Sequence, residues 1–374
     1  MLIALAGLSL AVWLYLLLLH GRYWRADQRL DDLTPAATPS VVVVVPARNE
    51  ADVVATALTS LLQQDYAGIQ VILVDDGSDD GTGDMARALD DPRLTVLAAP
   101  PRPPGWVGKM WAVETGVAAA AELAPDASYV LLTDADIAHD PGTVRCLVAK
   151  AERDDLALAS LMVRLHCRGP WERLLIPAFV YFFQQLYPFP WVNDPRRRTA
   201  GAAGGCMLVR RTALETAGGI AAVKGALIDD CALARVLKRQ GPVWLGLGTA
   251  ERSLRAYGGP GPIWRMIARS AYAQLRFSPV LLALCVVGMA LVYLVPPGLA
   301  LTWPSREAGA LAAAAWAVMA ITYVPTLRLY GQRPVSALLL PLAGLFYTLA
   351  TLDSARRHWL GRGGEWKGRV RAGA

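Results

Sequence analysis

The run Val130-Leu-Leu-Thr-Asp-Ala-Asp-Ile137 constrains this chain more than any other stretch. A strand this apolar is covered on both faces, as in sheets flanked by helices. It ends in two carboxylates one residue apart, Asp134 and Asp136. The C-terminal end of such a strand opens into the crevice where α/β sheets bind ligands. Two carboxylates there are costly unless a positive group sits between them. Mg2+ prefers one or two carboxylates plus phosphate oxygens, so a divalent cation (Mg2+ or Mn2+) carrying a diphosphate is the natural occupant. Taken alone, the run is equally compatible with a surface turn holding two solvated aspartates. The rest of the chain decides between the two.

Of 374 residues, 54% are hydrophobic and only 18% charged. That is too apolar for an ordinary soluble protein and points to membrane segments. The formal net charge is +6. Nucleic-acid binding does not explain it, because no Lys/Arg block of five or more appears and the arginines cluster beside apolar segments. Anionic lipid headgroups or phosphate-bearing substrates do. The cysteines Cys146, Cys167, Cys206, Cys231 and Cys285 are scattered without a CxxC, which argues against a disulfide framework or zinc site and fits a reducing compartment.

Residues 2–19 form an uninterrupted apolar run, about long enough to span a bilayer as a helix. Arg22, Arg25 and Arg29 follow it, so the positive-inside rule places everything after residue 20 in the cytoplasm. The run has neither the basic start nor the small-x-small site of a cleaved signal, and residues 1–20 are expected to be an anchor. From residue 41 the pattern becomes α/β. Strands are expected at 41–45, 69–74, 94–98 and 130–133, and helices at 50–64, 84–89 and 109–123. This alternation predicts a mostly parallel, doubly wound sheet within a domain at 40–277.

Residues 169–191 carry eight aromatic rings, several prolines and the pair Gln184-Gln185. The segment reads as too broken for a clean span and as lying in the membrane interface. A buried pair of hydrophobic helices is the alternative. Residues 251–277 are basic and amphipathic, with Arg252, Arg255, Arg265, Arg269 and Arg276. Apolar segments near 279–303, 308–327 and 334–352 give two to three further membrane segments, and residues 353–374 a basic tail. Three full crossings would put that tail outside, against the positive-inside rule. Two crossings plus one re-entrant or interfacial segment keep it inside. Pro296-Pro297 and Pro341 mark the first and third segments as the exceptions to be tested.

The carboxylates form a set. Asp75 and Asp76 end one strand, Asp134 and Asp136 another, and Asp229 and Asp230 sit at a helix start, where the dipole favours a carboxylate. Transfer from a nucleotide-diphosphate sugar needs such parts. One carboxylate holds the nucleoside, a metal neutralises the departing diphosphate, and another takes the proton of the attacking hydroxyl. A basic group covers the phosphates.

The chain resembles family 2 glycosyltransferases of the GT-A fold from about residue 40 to 277. The resemblance rests on Pro46-Ala47-Arg48-Asn49-Glu50, Asp75-Asp76-Gly77-Ser78 with Asp80-Gly81-Thr82, Asp134-Ala135-Asp136, and Asp229-Asp230 in place of the family's Glu-Asp motif. The phrase Pro104-Gly105-Trp106-Val107-Gly108-Lys109 and the C-terminal apolar segments resemble hopene-associated glycosyltransferases and, more distantly, ceramide glucosyltransferases. The resemblance implies that Pro46, Arg48, Glu50, Asp75 and Asp76 form the nucleoside side of the site. It implies that Lys109 lies near the diphosphate, that Asp134 and Asp136 flank the metal with Asp136 the direct ligand, and that Asp230 is the general base beside Asp229. Relatives often carry a Gln- or Arg-x-x-Arg-Trp motif. Here Ala273 stands at its first position, leaving Arg276 to meet the diphosphate.

The resulting expectation is a bacterial inner-membrane enzyme with a cytoplasmic catalytic domain. It would move a sugar from a nucleotide sugar, most simply a UDP-sugar, to a lipid hydroxyl with inversion. A hopanoid is the acceptor the resemblance favours. A polyprenyl phosphate, glycerolipid or sphingolipid is the alternative, and a non-catalytic lipid-binding scaffold is the rival class.

Overall fold

The computed structural model describes residues 1–361. Its centre is β1 (Val41–Ala47), a run of valines buried along its whole length. Val42 and Val44 face one core with Met110 and Val113, while Val41, Val43 and Val45 face another with Leu58 and Leu61. β-branched residues on both faces suit a strand covered from both sides. Around β1 lie β2 (Ile69–Asp75), β3 (Leu94–Ala98) and β4 (Tyr129–Thr133), all parallel. The sheet continues through β5 (Ile137–Ala138), β6 (Leu158–Arg164), β7 (Cys206–Arg210) and β8 (Val243–Ser253) in the order β3-β2-β1-β4-β7-β6-β8-β5. β7 runs antiparallel to both β4 and β6, so the sheet is mostly parallel, as expected, and mixed beyond β4.

Helix α1 (Leu2–Leu18) precedes the sheet, and α2 (Ala51–Leu62), α3 (Thr82–Arg87), α4 (Gly108–Leu123) and α5 (Thr143–Arg153) connect its strands. α4 approaches β1 closely, because a Cβ on Gly116 would clash with Val44 Cγ1. That approach brings the start of α4, with Lys109, to the end of β4.

The segment expected to be broken is instead α6 (Pro170–Leu186), followed by α7 (Phe189–Asn193). Pro170 opens the helix, where a missing N–H costs nothing. Pro177 lies inside it and leaves the Arg173 carbonyl without its helical donor. Gln332 Nε2 donates to that carbonyl at 3.0 Å. Leu175, Ile176, Ala178, Val180 and Tyr181 are buried, so most of α6 packs as a core helix.

Helices α8 (Arg211–Thr216), α9 (Asp229–Leu237) and α10 (Pro260–Gln274) complete the domain. Three segments that follow are long and apolar enough to cross a membrane: Pro279–Thr302, Arg306–Leu329 and Pro334–Trp359. The first comprises α11 (Pro279–Met289), a π-helical turn at Ala290–Leu294 and α12 (Val295–Thr302); the second is α13 (Arg306–Leu329); the third contains α14 (Leu340–Trp359). At 17 residues α1 is about 25 Å long, shorter than a typical hydrocarbon core. It docks on the irregular turn. Trp13 Nε1 donates to the Val292 carbonyl at 2.8 Å and Ser9 Oγ to the Leu291 carbonyl at 2.9 Å. Pro296 has no N–H to offer Val292, so the tryptophan satisfies an acceptor the helix cannot. α14 runs on to Trp359, and the expected basic tail therefore starts inside a helix; Arg362, Lys367 and Arg369 lie outside the described residues.

Candidate functional site

Two turns build the nucleoside side. β1 ends at Ala47, and Asp76 N–H donates to its carbonyl at 2.9 Å, tying the end of β2 to the end of β1. Asp75 Oδ1 accepts from Ser78 N–H at 2.9 Å and Ser78 Oγ at 2.6 Å. Ser78 Oγ accepts from Asn49 N–H at 3.0 Å, and Asn49 Oδ1 accepts from Asp79 N–H at 3.1 Å. Thr82 Oγ1 and Asp80 Oδ2 accept the Glu50 and Ala51 N–H groups at the start of α2. The Arg48 guanidinium donates to the Asp76 and Gly77 carbonyls. Arg48, Glu50, Asp75 and Asp76 thus share one rigid double turn, with Asp76 buried.

The second group gathers at the end of β4. Lys109 Nζ lies 2.6 Å from Asp134 and 3.7 Å from Asp229. Pro46, Lys109, Asp134, Gly204, Asp229 and Asp230 line one small pocket. Burial works to lower the Lys109 ammonium, and the pull of Asp134 and Asp229 outweighs it, so the group stays charged with its pKa raised. Burial raises the Asp134 carboxyl. Asp230 Oδ2 accepts from Gly204 N–H at 3.0 Å and Oδ1 from Cys231 N–H at 2.7 Å. Burial and the neighbouring Asp229 charge nevertheless push its carboxyl up to about 6. A carboxylate poised there is a competent general base near neutral pH.

Arg255, which the sequence placed in a basic amphipathic stretch, belongs to this site. Its Nε donates to Asp136 Oδ2 at 2.9 Å and its Nη2 to Glu50. It joins the two clusters across the mouth of the sheet. Arg276 is not brought in: it is exposed in a left-handed turn after α10, and among the described residues no ion pair links it to these carboxylates. His139, two residues past Ile137, is buried against Thr133 at 2.9 Å, and burial lowers it to about 4. Cys206 and Cys231 are buried, as packing residues are.

Among the described residues no three His, Cys, Asp or Glu side chains converge on one metal position. Asp134 and Asp136 offer two carboxylates, as many as Mg2+ takes when phosphates complete its shell. Glu50, Asp134, Asp136, Asp229 and Asp230 outnumber the cations Lys109 and Arg255, so the donor set fits a divalent cation arriving with a diphosphate.

The base side of the site touches the ends of α6 and α10, and α10 leads into the apolar segments. Tyr187, just past α6, donates its hydroxyl to Gln274 Oε1 of α10 at 3.0 Å. A Cβ on Gly201 would meet the Tyr187 ring at 3.1 Å. Burial, and then the neighbouring Cys231, pushes that phenol up.

Residues 42–218 match the family model described as glycosyl transferase family 2. The mannosyltransferase PcManGT of Pyrobaculum calidifontis, solved with GDP-mannose and Mn2+, is similar in structure, with a TM-score of 0.54 and 21% identity over 96% of this chain and 99% of that one. The fold is the GT-A glycosyltransferase fold with a mixed, mostly parallel sheet. Two succinoglycan biosynthesis proteins of Rhizobium meliloti (strain 1021) are similar in sequence. ExoO is 30% identical over 38% of this chain and 42% of its own length. ExoU is 41% identical over 17% of this chain and 19% of its own. The chain therefore spans less than half the length of either relative.

Proposed function

We propose that this chain, whose residues 42–218 match family 2 glycosyltransferases, moves a sugar from a nucleotide-diphosphate sugar to a lipid hydroxyl with inversion. One observation carries the reading. Asp230 lies beside Lys109, Asp134 and Asp229, on the side of the domain that contacts Tyr187 and Gln274 at the foot of the apolar helices. A base so placed meets an acceptor rising from a bilayer. Leu281, Leu284, Val287, Ile321, Leu342, Leu345 and Leu349 are exposed on those helices, an apolar surface that fits lipid.

The double turn of Arg48, Glu50, Asp75 and Asp76 binds the nucleoside, with Pro46 beside the pocket. Asp134 and Asp136, the latter as direct ligand, would hold a divalent cation, which supplies positive charge to the diphosphate as it leaves. Lys109 contributes a second positive charge there. Gly204 and Cys231 N–H groups aim the Asp230 carboxylate, which takes the proton of the acceptor hydroxyl. The hydroxyl oxygen bonds to the anomeric carbon as the bond to the nucleotide phosphate breaks. A single displacement from the opposite face inverts the centre.

The domain is proposed to face the cytoplasm at a bacterial inner membrane, with two crossings beyond α1 and an interfacial third segment. Both ends of the third segment touch the domain side. Leu165 N–H donates to Tyr330 Oη just before it, and Trp264 Nε1 of α10 donates to Asp353 Oδ2 near its end at 2.8 Å. Ser354 accepts from Tyr272 N–H, and His358 stacks on Phe277. That arrangement keeps the basic tail inside, in accord with the positive-inside rule. A hopanoid is the favoured acceptor by resemblance, with polyprenyl phosphate, glycerolipid or sphingolipid as alternatives. A UDP-sugar is the first donor to test and a GDP-sugar the second, since PcManGT was solved with GDP-mannose. Detergent-solubilised protein given each donor, Mg2+ or Mn2+ and total bacterial lipid should yield a new glycolipid by mass spectrometry. Transfer to soluble glycans alone would overturn the lipid reading.

A further inference from the structure

The geometry points to Arg255 as a built-in counter-cation that shares Asp136 with the divalent metal and couples metal binding to nucleotide binding. This rests on the donor-site reading above. The guanidinium bridges Asp136 Oδ2, at 2.9 Å, and Glu50. Those two carboxylates are 17% and 12% exposed and the Arg255 side chain 41%, so water screens the bridge only from the guanidinium side. A cation bound through the same Asp136 oxygen repels the guanidinium at contact distance. Metal binding through Asp136 Oδ2 therefore displaces Arg255.

The backbone around Arg255 is held, so the side chain is what moves. Leu254 N–H donates to the Asp136 carbonyl at 2.8 Å, and Tyr257 N–H to Glu172 Oε1 at 2.8 Å. A freed guanidinium keeps its reach to the mouth of the site. A diphosphate offers it a bidentate partner that replaces the lost carboxylate. Cation alone must break the Asp136 bridge without compensation, whereas cation with diphosphate exchanges one anion for another. Arg255 so makes the metal and the nucleotide bind together.

Mn2+ binding to the full-length detergent-solubilised protein, read by the EPR signal of free Mn2+, tests this with and without UDP or GDP. In the unmutated protein the nucleotide should tighten Mn2+ binding by about tenfold or more, the range of ordinary coupling between sites. Arg255→Gln should bind Mn2+ alone about tenfold more tightly than the unmutated protein and show a correspondingly smaller nucleotide dependence, the remainder being the diphosphate's own contact with the cation. Adding Asp136→Asn to Arg255→Gln should erase the gain. Equal Mn2+ affinity with and without nucleotide in the unmutated protein would overturn the inference, even should the variant fail to fold. So would a variant that binds Mn2+ no better. Nucleotide binding is measured on the same samples: its absence sinks the donor-site reading itself, whereas its presence with Arg255-independent Mn2+ binding sinks only this inference.

Discussion

Lowering the pH from about 7 to about 5 should cut kcat/KM about tenfold, because a base with a pKa near 6 is only about one-tenth ionised one unit below it. The group is Asp230, pushed up to about 6 by burial and by the neighbouring Asp229, against two backbone donors and Lys109 that pull it down. An aspartate at its ordinary value near 4 would remain mostly ionised at pH 5 and leave the profile nearly flat. The sign follows from the role: proton abstraction needs the carboxylate, so activity falls on the acid side. Asp229→Asn removes the like charge and should move the acid limb to lower pH, whatever it does to the plateau. Lys109→Met removes the opposing cation and should move the limb the other way. The assay is initial-rate transfer at low donor concentration between pH 4.5 and 8, with protein integrity checked at each pH. A profile flat down to pH 5, or an Asp229→Asn limb displaced to higher pH, would refute the electrostatic account. Because these carboxylates interact, the measured limb belongs to the cluster as a unit.

Three further outcomes follow from the packing. Glu172 is 4% exposed and accepts from the N–H groups of Arg168, Gly169 and Tyr257 and pairs with His166. Burial works to raise its carboxyl, but those donors outweigh it and hold it down to about 2. A drop of that size corresponds to about 3 kcal/mol, present above pH ~4.5 and lost as the pH falls through about 2. Glu172→Gln should lower stability to denaturant by about that amount at neutral pH, with the gap to the unmutated protein closing below pH 4. Gly116→Ala should cost about 1–3 kcal/mol by forcing α4 off Val44, and should weaken donor binding measured by titration because Lys109 rides on the start of α4. Asp230→Asn should abolish transfer while leaving nucleotide affinity within about twofold, measured by equilibrium titration; unchanged turnover would remove Asp230 from the mechanism.

The strand ends were legible because a buried strand is a continuous apolar run, and its first acid marks where it surfaces. Ile69–Asp75 and the run ending at Asp134 show this directly. Arg255 was not legible. Its partners Glu50 and Asp136 lie 205 and 119 residues away, and its neighbours Arg252, Arg265 and Arg269 made it look like one charge of a solvated helix face. The pair Asp229-Asp230 was legible as acidic, and its division of labour only through the family resemblance. Only the fold turns one carboxylate to Lys109 and the other to the Gly204 and Cys231 N–H groups. That 170–186 forms one helix is hidden in the sequence, because Pro170 sits at the helix start and the carbonyl freed by Pro177 is taken by a residue far along the chain.

Those prolines explain how the apolar helices hold the domain. A proline inside a helix strips a donor from the carbonyl one turn earlier, and in a dry environment that acceptor must be satisfied by something else. Pro177 exposes the Arg173 carbonyl, and Gln332, on the turn after α13, takes it. Pro296 exposes the Val292 carbonyl, and Trp13 of α1 takes it. Each defect is a polar mark on an otherwise uniform apolar surface, where packing alone would permit sliding. The Tyr23, Tyr181 and Thr322 hydroxyls form a third such tie among the turn after α1, α6 and α13. Together they fix α6, and with it Tyr187 at its end, against the base side of the pocket. The prolines that disguised α6 in the sequence are therefore part of what sets the distance between Asp230 and the surface from which the proposed acceptor comes.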